Sequence, residues 1–322
     1  MLVARLLPEI PFDKNSVVSV GSFDGVHRAH QEVIREVVRR AGSREGRSVI
    51  VTFDPHPKQV LQNNSGEIRL LSTLDERKTM CQQLGVNVFF VIPFTYEFSR
   101  QGFREFYEKY LVRGIGVSEV VEGYDHHFGR DREGSIQELI RMGEEFDFSV
   151  IAMKPVTVDG EIVNSTAIRR HLQGGNVTRA AELLGRPYRI EGSVVRGDGR
   201  GKKLGFPTAN VVPSQAATMV PANGVYVAQV LLEKTIFHGL VNIGVRPTFE
   251  KSGMRAIEAH LLHFEGDLYG KRLEVLFLKR LRDEMKFESP EDLVQQMQLD
   301  KQAGLEFINE HHHEVRAQQS GN

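Results

Sequence analysis

Two histidines three residues apart, His27 and His30, end the segment GSFDGVHRAH (21–30), which leads from an apolar run into a helical pattern. Gly21 and Gly25 allow backbone to approach a ligand, and the start of a helix offers unpaired N–H groups to an anion. The pair reads as a phosphate grip; a cap or a packing role is the plainer reading of either ring alone. His-x-x-His without further Cys or His ligands is a poor zinc pattern. In NSTAIRRHL (164–172), the hydroxyls of Ser165 and Thr166 lead into a helix and Arg169 follows one turn on. That arrangement suits a pyrophosphate clamp, with an N-capped helix bearing a surface Arg as the alternative. The stretch VVRGDGRGKKLGFPTANV (194–211) interleaves Gly197, Gly199, Gly201 and Gly205 with Arg196, Arg200, Lys202 and Lys203. It suits a phosphate-covering flap or a plain hairpin, and it lacks the GxxxxGK(S/T) of a P-loop. Thr208 and Asn210 follow two apart on extended chain, facing one side, as oxygen ligands adequate for Mg²⁺ once nucleotide phosphates complete the shell. Glu258, in AIEAHLLHF, alternates against Ile257 and Ala259 and is either a solvated acid or a base.

These residues need elements to position them. SVVSV (16–20), SVIVTF (48–53), VNVFFVIPF (86–94), 118–123 and 148–156 read as strands. Between them lie helical patterns: Val33, Ile34, Val37, Val38 and Ala41 on one face, a capping box from Thr73 to Glu76, and stretches near 99–112 and 135–146. Strand and helix in alternation predict a parallel sheet whose ligands sit beyond the carboxyl ends of the strands. The polar loops 21–30, 54–57 (DPHP), 95–100 and 123–134 should therefore share one edge. Helices are expected at 166–173 and 177–184, then β-rich runs at 188–195, 224–233, 236–245, 256–264 and 272–279 that read as a small antiparallel barrel or sandwich. A helix capped by Ser289 with Pro290 at its first position follows, and Leu305 and Ile308 suggest one more helical stretch. The domain boundary falls near 185, giving domains 1–185 and 186–322.

The totals narrow the class. The chain has 322 residues, 41 Lys plus Arg against 42 Asp plus Glu, and no Trp, so neither a net field nor an aromatic stacking motif holds a polyanion. No apolar run is long enough to span a bilayer and no leader stands at Met1. The single Cys81 fits a reducing compartment and reads as a small buried hydrophobe. A soluble cytoplasmic protein, monomeric or weakly homo-oligomeric, without nucleic acid or membrane as partner, is expected.

The turn GxFDGVHxxH resembles the signature of the HxGH-type nucleotidyltransferases, which attack the α-phosphate of a nucleoside triphosphate; Ala29 stands where that family has Gly. NSTAIRRHL is similar to the second signature, SSTxIR, matching at Ser165, Thr166 and Arg169, with Asn164 for the first Ser. The glycine flap, PTAN, NIGVRPTF (242–249), the strand holding Glu258 and LYGKRLEVLFLKRLRDEMKF follow the order of riboflavin kinase. From about 15 to 305 the chain thus resembles the bacterial bifunctional riboflavin kinase and FAD synthetase family.

That resemblance implies an α/β architecture: a Rossmann-like parallel-sheet nucleotidyltransferase domain, then an antiparallel β-barrel kinase domain with a terminal helix. It implies that ATP phosphorylates riboflavin to FMN and a second ATP adenylylates FMN to FAD, with Mg²⁺ as cofactor, ATP as co-substrate and pyrophosphate released. Glu258 would take the proton from the ribityl 5′-hydroxyl, and Thr208 and Asn210 would meet magnesium and phosphate. His27, His30, Asp125, Ser165, Thr166 and Arg169 would form the adenylyl-transfer site, with Gly21, Phe23, Asp24 and Gly25 in its ATP turn. Gly197, Lys203 and Gly205 would belong to the kinase phosphate grip. Phe53, His56, Pro57 and Phe128 are flavin candidates by position beside the matched loops. A monofunctional kinase, or a flavin or ATP sensor with an inactive first half, is the alternative.

Overall fold

A computed structural model describes residues 1–61, 68–124, 135–197, 201, 205–245 and 255–319, the side chains of 311–319 excepted. The backbone forms two compact units, Met1–Ser165 and Thr166–Asn322.

The first unit is a six-stranded parallel sheet ordered β1 (Leu2–Ala4), β4 (Val88–Pro93), β3 (Ser48–Asp54), β2 (Ser16–Val20), β5 (Val117–Glu122), β6 (Ser149–Ala152). β2 is buried along its whole length, as a central parallel strand covered on both faces must be. The chain runs outward from β2 through β3 to β4, then returns to place β5 on the other side of β2. That reversal opens a crevice at the carboxyl ends of β2 and β5, where open α/β sheets bind ligands.

Helix α1 (Arg28–Ser43) buries Val33, Ile34, Val37 and Ala41, the stripe its spacing predicts, each larger side chain contributing roughly 1.5–3 kcal/mol. The short α2 (Pro57–Leu61) precedes α3 (Leu74–Gln83), which carries the expected capping box: Thr73 accepts from Glu76 N and Glu76 reaches back to Thr73 N. The single helix expected near 99–112 is instead α4 (Tyr96–Ser99), then α5 (Phe103–Phe106) running into a π-helical stretch to Ile115. Extended backbone at Gly102 separates them, and left-handed Gly116 ends the stretch. After α6 (Ile136–Phe146), β6 stops at Ala152, ahead of the expected 156. A small hairpin, β7 (Thr157–Val158) and β8 (Glu161–Ile162), follows, its Asp159-Gly160 turn left-handed at both positions.

Helices α7 (Ser165–Gln173) and α8 (Val177–Leu184) fall, apart from Ser165, in the second unit, although the sequence set its boundary near 185. Here α8 packs on β9 (Tyr188–Val195) and β14 (Arg272–Arg282), and Ala222 N donates to Leu172 O. These two strands close a six-stranded antiparallel barrel with β10 (Ala209–Pro213), β13 (Arg255–Leu261), β12 (Thr235–Val245) and β11 (Gly224–Leu232). Inside lie Val241, Ile243, Ile257 and Ala259, at most 2% exposed.

The final helix, α9 (Pro290–Gln319), is one continuous element rather than two stretches. Gly304 lets the helix approach β12 closely, since a Cβ there would lie 2.9 Å from Leu240 Cδ2 and the leucine would have to shift. Ser289 caps the helix through Asp292 N, and the bidentate Arg282–Asp300 pair ties it to β14. Among the described residues no helix is long and apolar enough to cross a membrane.

Candidate active sites

In the first unit the histidine pair sits at the sheet's reversal point. His27 is 4% exposed and is the N-cap of α1, its Nδ1 accepting from His30 N at 3.3 Å. The two rings stack with centroids 3.6 Å apart and 17° between planes, and Phe23 meets His30 edge-on at 5.2 Å. Burial, then the charges of His27 and Arg77, push the His30 imidazole well below its ordinary value. Two protonated rings in that stack would repel, so the pair disfavours carrying two charges at once.

The turn leading to this pair is held in an unusual conformation, with φ of 48° at Phe23, 85° at Gly25 and 37° at Val26. Asp24 supports it. Its carboxylate, 2% exposed, accepts from Leu71 N, Ser72 N and Ser72 Oγ, while Ser72 Oγ also accepts from Gly25 N. Ser165 donates its hydroxyl to Asp24 O, so α7 starts at the same turn. Gly21 leaves room for the Phe23 ring, which a Cβ would meet at 3.3 Å.

The loop after β3 is more core-like than its composition implied. Phe53 is 2% exposed among Phe94, Phe98 and Phe106, whereas His56 begins the turn into α2, accepting from Lys58 N, and Pro57 is the first residue of that helix. Cys81 is fully buried, which pushes its thiol up to about 12 and leaves no thiolate for catalysis. Asp125 and Phe128 lie outside the described residues. In the second unit Thr166 is exposed and Arg169 half-buried near the start of α7.

The kinase candidates share one barrel face. Glu258 on β13 pairs with Asn210 on β10 and with Asn242 on β12. Directly opposed residues project to the same side, so the three polar side chains form a row. In NIGVRPTF the type of Asn242 points to no role; only strand register brings it beside Glu258.

The described glycines of the stretch 194–211 lie close to these residues. A Cβ on Gly197 would fall 2.1 Å from Asn210 Nδ2, and one on Gly201 would fall 3.1 Å from Thr208 Oγ1. Gly205 adopts φ 82° in a loop closed by Phe206 N donating to Gly201 O. Lys203 lies outside the described residues. Among the described residues no group of three or more His, Cys, Asp or Glu side chains could hold a metal. Hydroxyl and amide oxygens from Thr208 and Asn210 fit Mg²⁺, a hard cation that takes much of its shell from phosphates and water.

Comparison with known proteins finds a family match for each half of the chain. The FAD synthetase family model matches residues 9–167 and the riboflavin kinase model matches residues 184–308. A bifunctional riboflavin kinase/FMN adenylyltransferase of Listeria monocytogenes is 34% identical over 296 residues, 92% of this chain and 93% of that protein. The protein of the same name from Pseudomonas fluorescens is 37% identical over 283 residues, 88% and 90% of the two chains. A crystal structure titled macrolide-efflux protein from Streptococcus pneumoniae superposes with a TM-score of 0.85 at 31% identity, covering 94% of this chain and 99% of that one. Two family domains in order, with relatives aligned over nearly their whole length, place this chain in the bifunctional riboflavin kinase/FMN adenylyltransferase family.

Proposed function

We propose that the family's two reactions divide between the two units, with adenylyl transfer at His27 and His30 and riboflavin phosphorylation at Glu258. The carrying observation is that His27 and His30 lie in Met1–Ser165, whereas Thr208, Asn210 and Glu258 lie in Thr166–Asn322. The functional boundary is placed near 185, just after the start of the riboflavin kinase match at residue 184.

In the kinase reaction the γ-phosphoryl of ATP passes to the ribityl 5′-hydroxyl. A loose transition state rewards alignment and charge neutralisation. Glu258 accepts the hydroxyl proton, and Asn210 and Thr208 would hold Mg²⁺, which would supply neutralisation of phosphate charge. Gly197, Lys203 and Gly205 belong to the flap over those phosphates.

In the adenylyl transfer the FMN phosphate, largely dianionic at neutral pH, attacks the α-phosphorus of ATP and pyrophosphate leaves. The nucleophile needs no activation, so donors suffice: His27 and His30, the N-terminus of α1, and Ser165. Gly21, Phe23, Gly25 and Asp125 complete the ATP turn. Asp24 acts by holding that turn, since its oxygens already accept from Leu71 and Ser72. His56, Pro57 and Phe128 flank the flavin, with Phe53 supporting them from the core. The protein works in the cytoplasm on small molecules, as a monomer or weak homo-oligomer without nucleic acid; near-zero formal charge and a lone buried cysteine support this.

His30→Ala tests the division. Incubated with riboflavin, ATP and magnesium, it should accumulate FMN at the wild-type rate and form no FAD, as read by flavin chromatography. Loss of both products would overturn the assignment.

A further inference from the structure

Arg77 on α3 belongs to neither signature, yet it is a charged residue buried beside the histidine pair. It is 3% exposed. Its Nη1 donates to Ser22 O at 2.8 Å, Thr52 Oγ1 at 3.0 Å and Phe53 O at 3.3 Å, and Thr52 Oγ1 itself donates to Ser22 O at 3.2 Å. One guanidinium therefore joins the loop after β2, which leads to His27 and His30, to the end of β3, which leads to His56 and Pro57.

The arrangement is expensive for a purely structural tie. A buried cation costs several kcal/mol unless paired, and the Nη1 of Arg77 donates only to carbonyls and a hydroxyl, not to a carboxylate. Its Nε is closed off from solvent without a partner, and so is Nδ1 of His30. Burial lowers the guanidinium's pKa while Asp24, Asp54 and Glu76 favour its charge, and an arginine so placed stays protonated.

We propose that Arg77 is a positioning residue for FMN adenylyl transfer, fixing the His27–His30 loop against the end of β3 and holding a permanent positive charge beside the pair. This rests on the reading that the first unit carries adenylyl transfer. The groups around His30 are the His27 ring and Phe23 from its own loop and Arg77 from α3. Asp24, Asp54, Glu76 and the neutral thiol of Cys81 surround Arg77 in turn. Removing the Arg77 charge lets His30 take a proton more readily. If the neutral ring is the working form, the acid limb of the pH profile then moves to higher pH.

The test compares full-length wild type, Arg77→Met and Arg77→Lys, with FMN and FAD formation measured separately from pH 5 to 9. Arg77→Met should lose ~10- to 100-fold in kcat for FAD formation, the scale of a misplaced reacting group, with KM for FMN changed less. Its acid limb should rise, and its riboflavin phosphorylation should stay within about twofold of wild type, reporting an intact second unit. Arg77→Lys keeps the charge without the fork, so it should recover part of the rate with the acid limb unmoved. Wild-type FAD formation by Arg77→Met, or equal acid-limb shifts in both variants, would overturn the proposal. A wild-type protein that forms FMN but no FAD would instead overturn the reading beneath it.

Discussion

At the residue scale, position in a row sets what Glu258 can do. Glu258 is flanked on both neighbouring strands by Asn210 and Asn242, so its carboxylate projects from the same face of the sheet as their amides. Glu258→Gln keeps the shape and removes the base. Its turnover for FMN formation should fall ~100-fold while KM for riboflavin stays within about threefold, measured by steady-state kinetics. A proportionate rise in KM with unchanged turnover would mean that the carboxylate binds rather than reacts. Residues such as His27, His30 and Glu258 were legible because their types are rare in apolar or glycine-rich settings. Arg77 and Asn242 were not: one reads as an ordinary helix arginine and the other as an ordinary strand polar residue, until topology and register set them beside the site.

At the element scale, the glycine flap is explained by what it leaves empty. Gly197 and Gly201 carry no Cβ where one would run into Asn210 and Thr208. Gly197→Ala should push the Asn210 amide aside, raising the Mg²⁺ concentration needed for half-maximal kinase activity several-fold while leaving FAD formation from supplied FMN unchanged. A magnesium titration of both reactions checks this, and an unchanged magnesium requirement would remove Asn210 from the metal site.

The longer elements were readable from period and caps, as in α1, α3 and β9. The three residues of β1 and the two-residue arms of the 157–162 hairpin show no period, since so few positions carry none. The break at Gly102 and the π-helical stretch after it depend on packing of Phe103, Phe106, Tyr107 and Leu111 into the sheet's core, which spacing alone does not reveal.

At the scale of the whole molecule, each unit has the means to fold and work by its own core. The sheet packs apolar clusters on both faces, and the barrel fills its interior and docks α9 over Val227, Leu240 and Leu262. FMN links the two reactions, as the product of one and the substrate of the other. With a formal charge of −1 there is no strong net field to retain a dianion. Released FMN should therefore pass through solution. Mixing His30→Ala, which still phosphorylates riboflavin, with Glu258→Gln, which still adenylylates FMN, should restore FAD synthesis from riboflavin. FAD should appear after a lag that shortens as the concentration of the His30→Ala protein rises, because FMN must first accumulate to the range of the second site's KM. If each variant retains its own half-reaction but the mixture forms no FAD, FMN does not travel freely between sites on different molecules.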